Sequence, residues 1–283
     1  MKKLILCFIC IFMLSGCKKD SMENIQIYTT TYPIEYITKK LYGEYSNISS
    51  VYPNEVIDLS DKLLSDYSKG NLFVYNGLSN EKDYAVKMIN KNKDLMIVDA
   101  TMGMEIENGI EELWINPSNF LMLCLNIKNG MKEYITNSFL KRKIDENYDN
   151  IYLEISELDA EIKLLVENAD DNNILVSNNV FNFLSKYNVN ILSLDEDNTL
   201  NDKLINDIKS EIENENIKYI IMLPDDVLSD EASNLINNYN IEKLYFNPLT
   251  TLSEEDTNNG EDFISIMQEN LNVLKKELYS ESE

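Results

Sequence analysis

The stretch "DENYDNIYLEISELDAEIKLLVE", residues 145–167, decides how this chain is organised. Tyr148, Ile151, Tyr152, Ile155, Leu158, Ile162 and Leu165 recur at steps of three and four, which puts them on one face of a helix. Neither glycine nor proline interrupts the run. A helix of this length is either a stiff connector between two lobes or a long surface helix of a single domain. The sequence on each side favours the connector.

Upstream, the β-branched and aromatic runs "NIQIYTT" (24–30), "ISSVY" (48–52), "LFVYN" (72–76) and "LMIVD" (95–99) alternate with helical stretches such as 34–41 and 81–89. Downstream, "NILVSN" (173–178), "NILSL" (190–194), "KYIIML" (218–223) and "EKLYF" (242–246) repeat the rhythm, with helices expected at 199–213, 229–238 and 260–280. Strands that alternate with helices in this way build βαβ units and parallel sheets. The expected fold is therefore α/β, with two lobes, each a mainly parallel sheet flanked by helices, joined by one long rigid helix. Residues 25–144 form the N-terminal lobe, 145–168 the linking helix and 169–283 the C-terminal lobe.

The first 17 residues read as a secretory signal. Met1-Lys2-Lys3 is a basic start, residues 4–14 are apolar but too few for a membrane span, and "LSGC" follows. Ser15 and Gly16 before Cys17 resemble the bacterial lipoprotein signal, in which the cysteine carries lipid. Residues 18–24 then form a short tether. Cys7 and Cys10 leave with the signal and Cys124 stands alone, so the mature chain has no intramolecular disulfide. An extracytoplasmic protein, lipid-anchored to the cell membrane without crossing it, is expected.

Composition excludes several function classes. The net charge of −24 opposes nucleic acid and anionic headgroups. With no histidine in 283 residues, the usual general base and the commonest transition-metal ligand are missing. The eight glycines are scattered and form no phosphate-binding loop. An enzyme of the common hydrolase, kinase or dehydrogenase types is not expected.

The prolines say where a site would lie. Pro33, Pro53, Pro224 and Pro248 each follow a predicted strand, and Pro117 opens the helix after Trp114. In parallel sheets those loops sit at the carboxyl ends of the strands, where open α/β folds bind ligands. If the lobes face each other, "PNEVID", "ELWINPSN", "LVSNN", "MLPDD" and "FNPLT" surround one cleft. Thr29, Thr30 and Thr31 could bond a ligand there or cap the helix begun at Pro33. Asp225 and Asp226 are further oxygen donors or the start of a helix, and Cys124 within "FLMLCLNI" is a core thiol.

The order "IYTTTYPIEYITKKLYGE", "PNEV", "LFVYNGL", "IVDAT", "LWINPSN", a long helix, "LVSNNVFNFLSKY", "IKYIIMLPDDVLSDEASNLI" and "FNPLTTLSEEDTNNGEDFISIMQENLNVLKKEL" resembles the zinc/manganese-type solute-binding lipoproteins of bacterial metal ABC transporters, over nearly the whole mature chain. The resemblance implies a lipid-anchored receptor that takes a divalent metal between its lobes, as a monomer, and delivers it to a membrane permease and ATPase. Its four metal ligands, histidines and carboxylates in the family, fall on Glu55, Glu112, Asn178 and Asn247. Zinc favours nitrogen and sulfur, whereas manganese, calcium and magnesium accept oxygen, so this set points to the harder cations. A relative that no longer binds metal and serves as a surface adhesin, sensor or accessory protein is the alternative.

Overall fold

A computed structural model describes residues 22–52, 55–195 and 201–279. Cys17, the signal, most of the tether and Pro53 lie outside these residues. Among the described residues, eight strands form two four-stranded sheets. The first contains β1 (Ile25–Thr29), β2 (Ser46–Ser50), β3 (Leu72–Tyr75) and β4 (Met96–Asp99); the second contains β5 (Asn173–Val176), β6 (Asn190–Ser193), β7 (Tyr219–Met222) and β8 (Glu242–Tyr245). Their orders are β2-β1-β3-β4 and β6-β5-β7-β8, so the two sheets share one topology. Every strand pairing among the described residues is parallel; Thr29 pairs with Val74, for instance, and Val176 with Ile221.

The helices are α1 (Tyr32–Tyr42), α2 (Asp61–Tyr67), α3 (Glu81–Lys91), α4 (Glu112–Ile115), α5 (Pro117–Tyr134) and α6 (Ser138–Glu167). A 3-10 segment at Asn179–Tyr187 follows β5, and then come α7 (Asp202–Glu213), α8 (Asp230–Asn238), α9 (Glu254–Asn259) and α10 (Phe263–Leu278). No helix among the described residues is long and apolar enough to cross a membrane.

Strand alternation builds three cores, because successive side chains point to opposite faces. Leu72 and Val74 of β3 enter a central core, while Phe73 and Tyr75 enter an outer one with Tyr52, Leu64, Tyr84 and Met88. In the second sheet Ile174 and Val176 face the central core and Leu175 faces an outer one with Ile208, Ile220 and Ile236. The central core is continuous from Ile27 through the long helix to Phe246 and Phe263.

The long helix begins seven residues before the expected position, at Ser138, because Asn137 caps it: its side chain accepts from Phe139 N. Asn137→Ala should cost about 1 kcal/mol in denaturant unfolding. Leu140, Ile144, Ile151, Ile155, Leu158, Ile162 and Val166 form the buried stripe, which extends the expected face by two turns at the front. Tyr148, Tyr152 and Leu165 depart from the expectation: Tyr152 is 48% exposed, Tyr148 and Leu165 are only half-buried, and Val166 takes the buried place beside Leu165. The helix packs on α5 and α1 of the first lobe and on α10 of the second. Where α5 crosses β4, a Cβ on Gly130 would stand 2.6 Å from Val98 Cγ1, so only glycine permits the approach.

The threonine cap is not made. Thr31 occupies the position before α1 but accepts no backbone hydrogen, and its buried hydroxyl has no partner. The first N–H of that helix instead donates to Thr250 O of the other lobe, at 3.1 Å.

Candidate functional site

Both sheets reverse their strand order beside the first strand, and the carboxyl ends of β1 and β3 and of β5 and β7 mark these switch points. Crevices at such points are where open α/β folds take ligands. A cleft of about 810 Å³ lies at the switch point of the second sheet, with the loop after β2 of the first sheet facing it. The loop after β2 contributes Glu55 and Val56, the segment before α4 contributes Glu111, and the turn after β5 contributes Asn178. The loops after β7 and β8 supply Pro224, Asp225, Asp226, Asn247 and Pro248, with Tyr245 at the end of its strand.

Three of the four expected ligand positions line this cleft: Glu55, Asn178 and Asn247. Glu112 does not. Its carboxylate accepts from Asn108 Nδ2 at 3.2 Å, and its neighbour Glu111 faces the cleft instead. The reason is helical phase: adjacent residues at the start of α4 point roughly 100° apart, so only one of the pair can look into the cleft. Burial pushes the Glu111 carboxyl above the usual carboxylate range, and the charge of Asp226 adds to the rise.

The asparagine oxygens are used by their own turns. Asn178 Oδ1 accepts from Val180 N at 2.9 Å, and Asn247 Oδ1 accepts from Leu249 N, also at 2.9 Å. Leu249 has φ of 58°, a left-handed conformation for a branched side chain, held by this bond and by Asn270, which bonds both the N–H and the C=O of Asn247. Asp226 is likewise a structural hub. It accepts from Leu223 N at 2.9 Å, from Asn178 Nδ2 at 3.1 Å and from the Ser177 hydroxyl. Glu55 and Asp225 are exposed. Among the described residues no three acidic or cysteine side chains converge closely enough to hold an ion.

Several ties join the lobes around the cleft. Trp114 is buried, and its Nε1 donates to Pro248 O at 2.7 Å. Lys186 Nζ reaches Asn116 Oδ1 (3.3 Å) and Ser118 Oγ (2.9 Å) of the first lobe and Asp159 Oδ1 (3.0 Å) of the long helix. Asn182 Nδ2 donates to Asn108 Oδ1 at 3.1 Å, and the rings of Phe120 and Phe263 stack at 4.2 Å. Sequence reasoning missed Glu111 and Lys186. The acidic pair at 111–112 signalled the first, and nothing local signalled the second.

Two parallel α/β lobes on one long helix, with a ligand cleft where the carboxyl edges of both sheets meet, define the build of a two-lobed solute-binding protein. Residues 27–277 match the family model described as ZnuA, zinc-uptake complex component A periplasmic. The chain belongs to that family. It is 24% identical to the zinc-binding lipoprotein AdcA of Streptococcus pneumoniae strain R6, over 98% of this chain and 61% of the relative. It thus spans about three fifths of the length of that relative. The high-affinity zinc uptake system protein ZnuA of Bacillus subtilis is 21% identical, over 96% of each chain. In structure, the chain is similar to the Zn(II)-bound ZnuA-like domain of Streptococcus pneumoniae AdcA (TM-score 0.70, 20% identity, 91% of this chain and all of that one). The metal-dependent lipoprotein YcdH of Bacillus subtilis is equally alike (TM-score 0.72, 19% identity, 91% of this chain and all of that one).

Proposed function

We propose that this chain is the extracytoplasmic cargo-binding component of a divalent-metal ABC importer, anchored through lipid on Cys17 and delivering its cargo to a membrane permease and ATPase. One observation carries the reading: the cleft wall holds Glu55, Glu111, Asp225, Asp226 and Asp256, and no lysine or arginine among its described lining residues. Such a wall attracts cations. The relatives named above are described as zinc-binding or zinc-uptake proteins, which supports a metal as the cargo. No bond is made or broken in this role, and no side chain needs to act as a catalyst.

The donor set differs from what zinc prefers. Without histidine, and with Cys124 buried within α5 and outside the cleft wall, the cleft can offer only oxygen. As bare ions, manganese, calcium and magnesium suit oxygen donors better than zinc does. Glu55 and Glu111 are the residues proposed to carry the charge, with Asn178 and Asn247 shaping the wall beside them.

Titration calorimetry of residues 18–283 with manganese, calcium and zinc tests this function. Binding of at least one at micromolar concentration is expected. The Glu55→Ala/Glu111→Ala double variant should then bind at least about tenfold more weakly, a loss of about 1.4 kcal/mol, while Glu112→Ala should bind as the parent does. A chain that binds none of the three ions in any form would be an accessory or adhesive relative. Equal losses from Glu112→Ala and the double variant would remove the site assignment.

A further inference from the structure

We propose that the cargo is a divalent cation that carries a small chelating ligand of its own, so that the cleft binds a metal chelate rather than a bare ion. This rests on the metal-cargo reading above and narrows it. The donors of the cleft are not gathered around one point. Asn178 and Asn247 each commit one acceptor site of the side-chain oxygen to a backbone N–H, and Asp226 holds three hydrogen bonds within its own lobe. Glu55, Glu111 and Asp225 come from three separate segments, and no three acidic side chains among the described residues approach one another closely enough to share an ion.

Size and wall chemistry point the same way. A cleft of about 810 Å³ falls in the range of small-molecule pockets. Val56, Leu223, Pro224, Tyr245 and Pro248 add apolar surface to its wall beside the carboxylates. Tyr245 presents 53% of its surface, an aromatic face that an ion does not need but that an organic ligand can cover. The lobes are already tied to each other around the cleft, by the Trp114–Pro248 and Tyr32–Thr250 bonds, the Lys186 contacts and a shared core.

The chelate completes what the chain lacks. A 1:1 complex of a divalent cation with an amino-acid chelator brings nitrogen donors to a protein that has no histidine, and its remaining positive charge matches the Glu55 and Glu111 carboxylates. The polar rim of the chelator can then bond through its own donors, without a metal–protein bond.

The experiment uses titration calorimetry of residues 18–283 with zinc alone, with zinc plus one equivalent of L-histidine, with L-histidine alone and with manganese alone. The 1:1 zinc–histidine mixture should bind at least tenfold more tightly than zinc, and histidine alone should not bind. Tyr245→Ala should weaken the mixture about tenfold, and by more than it weakens any binding of the bare ion. If a bare ion binds as tightly as the mixture, or histidine strips the metal from the protein, the chelate proposal is overturned and the metal-cargo reading stands. If neither bare ions nor the mixture bind, both fall.

Discussion

Trp114→Ala is expected to cost about 3–5 kcal/mol of unfolding free energy, the range for emptying a buried aromatic site. The tryptophan is essentially inaccessible, lies in the core common to both lobes, and donates to Pro248 O across the interface. Its removal therefore leaves a cavity and an unmet carbonyl together. Trp114→Phe separates the two contributions: it keeps most of the ring and should lose only about 1–2 kcal/mol, the hydrogen bond and the smaller area. Denaturant titration of both variants measures the difference. An alanine variant within 1 kcal/mol of the parent would show that the lobes are not held together here.

The second large effect is on pH dependence. Burial pushes the carboxyl groups of Glu81 and Glu277 up to about 7, against the opposing pull of backbone N–H groups: Asn76 for Glu81, and Lys218 and Tyr219 for Glu277. The folded state therefore binds these protons more tightly than the unfolded chain does, and the unfolded chain gains more by ionising. The stability that the protonated acids confer is complete below the usual carboxylate range and is lost as pH rises through about 7. From pH 5 to pH 8 each group should cost roughly 2–3 kcal/mol. Glutamine copies the protonated acid and does not titrate. The double variant Glu81→Gln/Glu277→Gln should therefore be more stable than the parent at pH 8 and close to it at pH 5. Parallel stability curves for parent and variant across this interval would rule the explanation out.

Much of the architecture was legible because parallel strands between helices are short apolar runs with sharp ends. "LFVYN" and "KYIIML" each lose only a residue or two at their margins to become β3 and β7. β2 was read two residues late, because it is an edge strand of serine and asparagine, while the more apolar Val51 and Tyr52 beyond it turn into the outer core. The long helix was visible in its middle and not at its start, where capping by Asn137 outweighs the weaker periodicity of 138–144. Four of the five segments expected to surround one cleft supply a lining residue and Glu111 immediately precedes the fifth, though of the five prolines only Pro224 and Pro248 line it among the described residues. Its side chains were not fully legible, since which of Glu111 and Glu112 looks inward depends on how a four-residue helix is rotated by Trp114. Asn178 and Asn247 sit in the cleft wall, but a turn's claim on their oxygens is a local fact that segment matching does not carry.

The shared core sets how the chain comes apart. Each sheet gives one face to a private cluster and the other to the cluster that also includes the long helix and the opposite lobe. A lobe separated from its partner would expose that inner face, with Phe120 or Phe263 left without its stacking ring. Neither half has a complete interior of its own, so melting should be one concerted event, and folding should not finish until the last helix, α10, has been added to a first lobe assembled some 130 residues earlier in the chain.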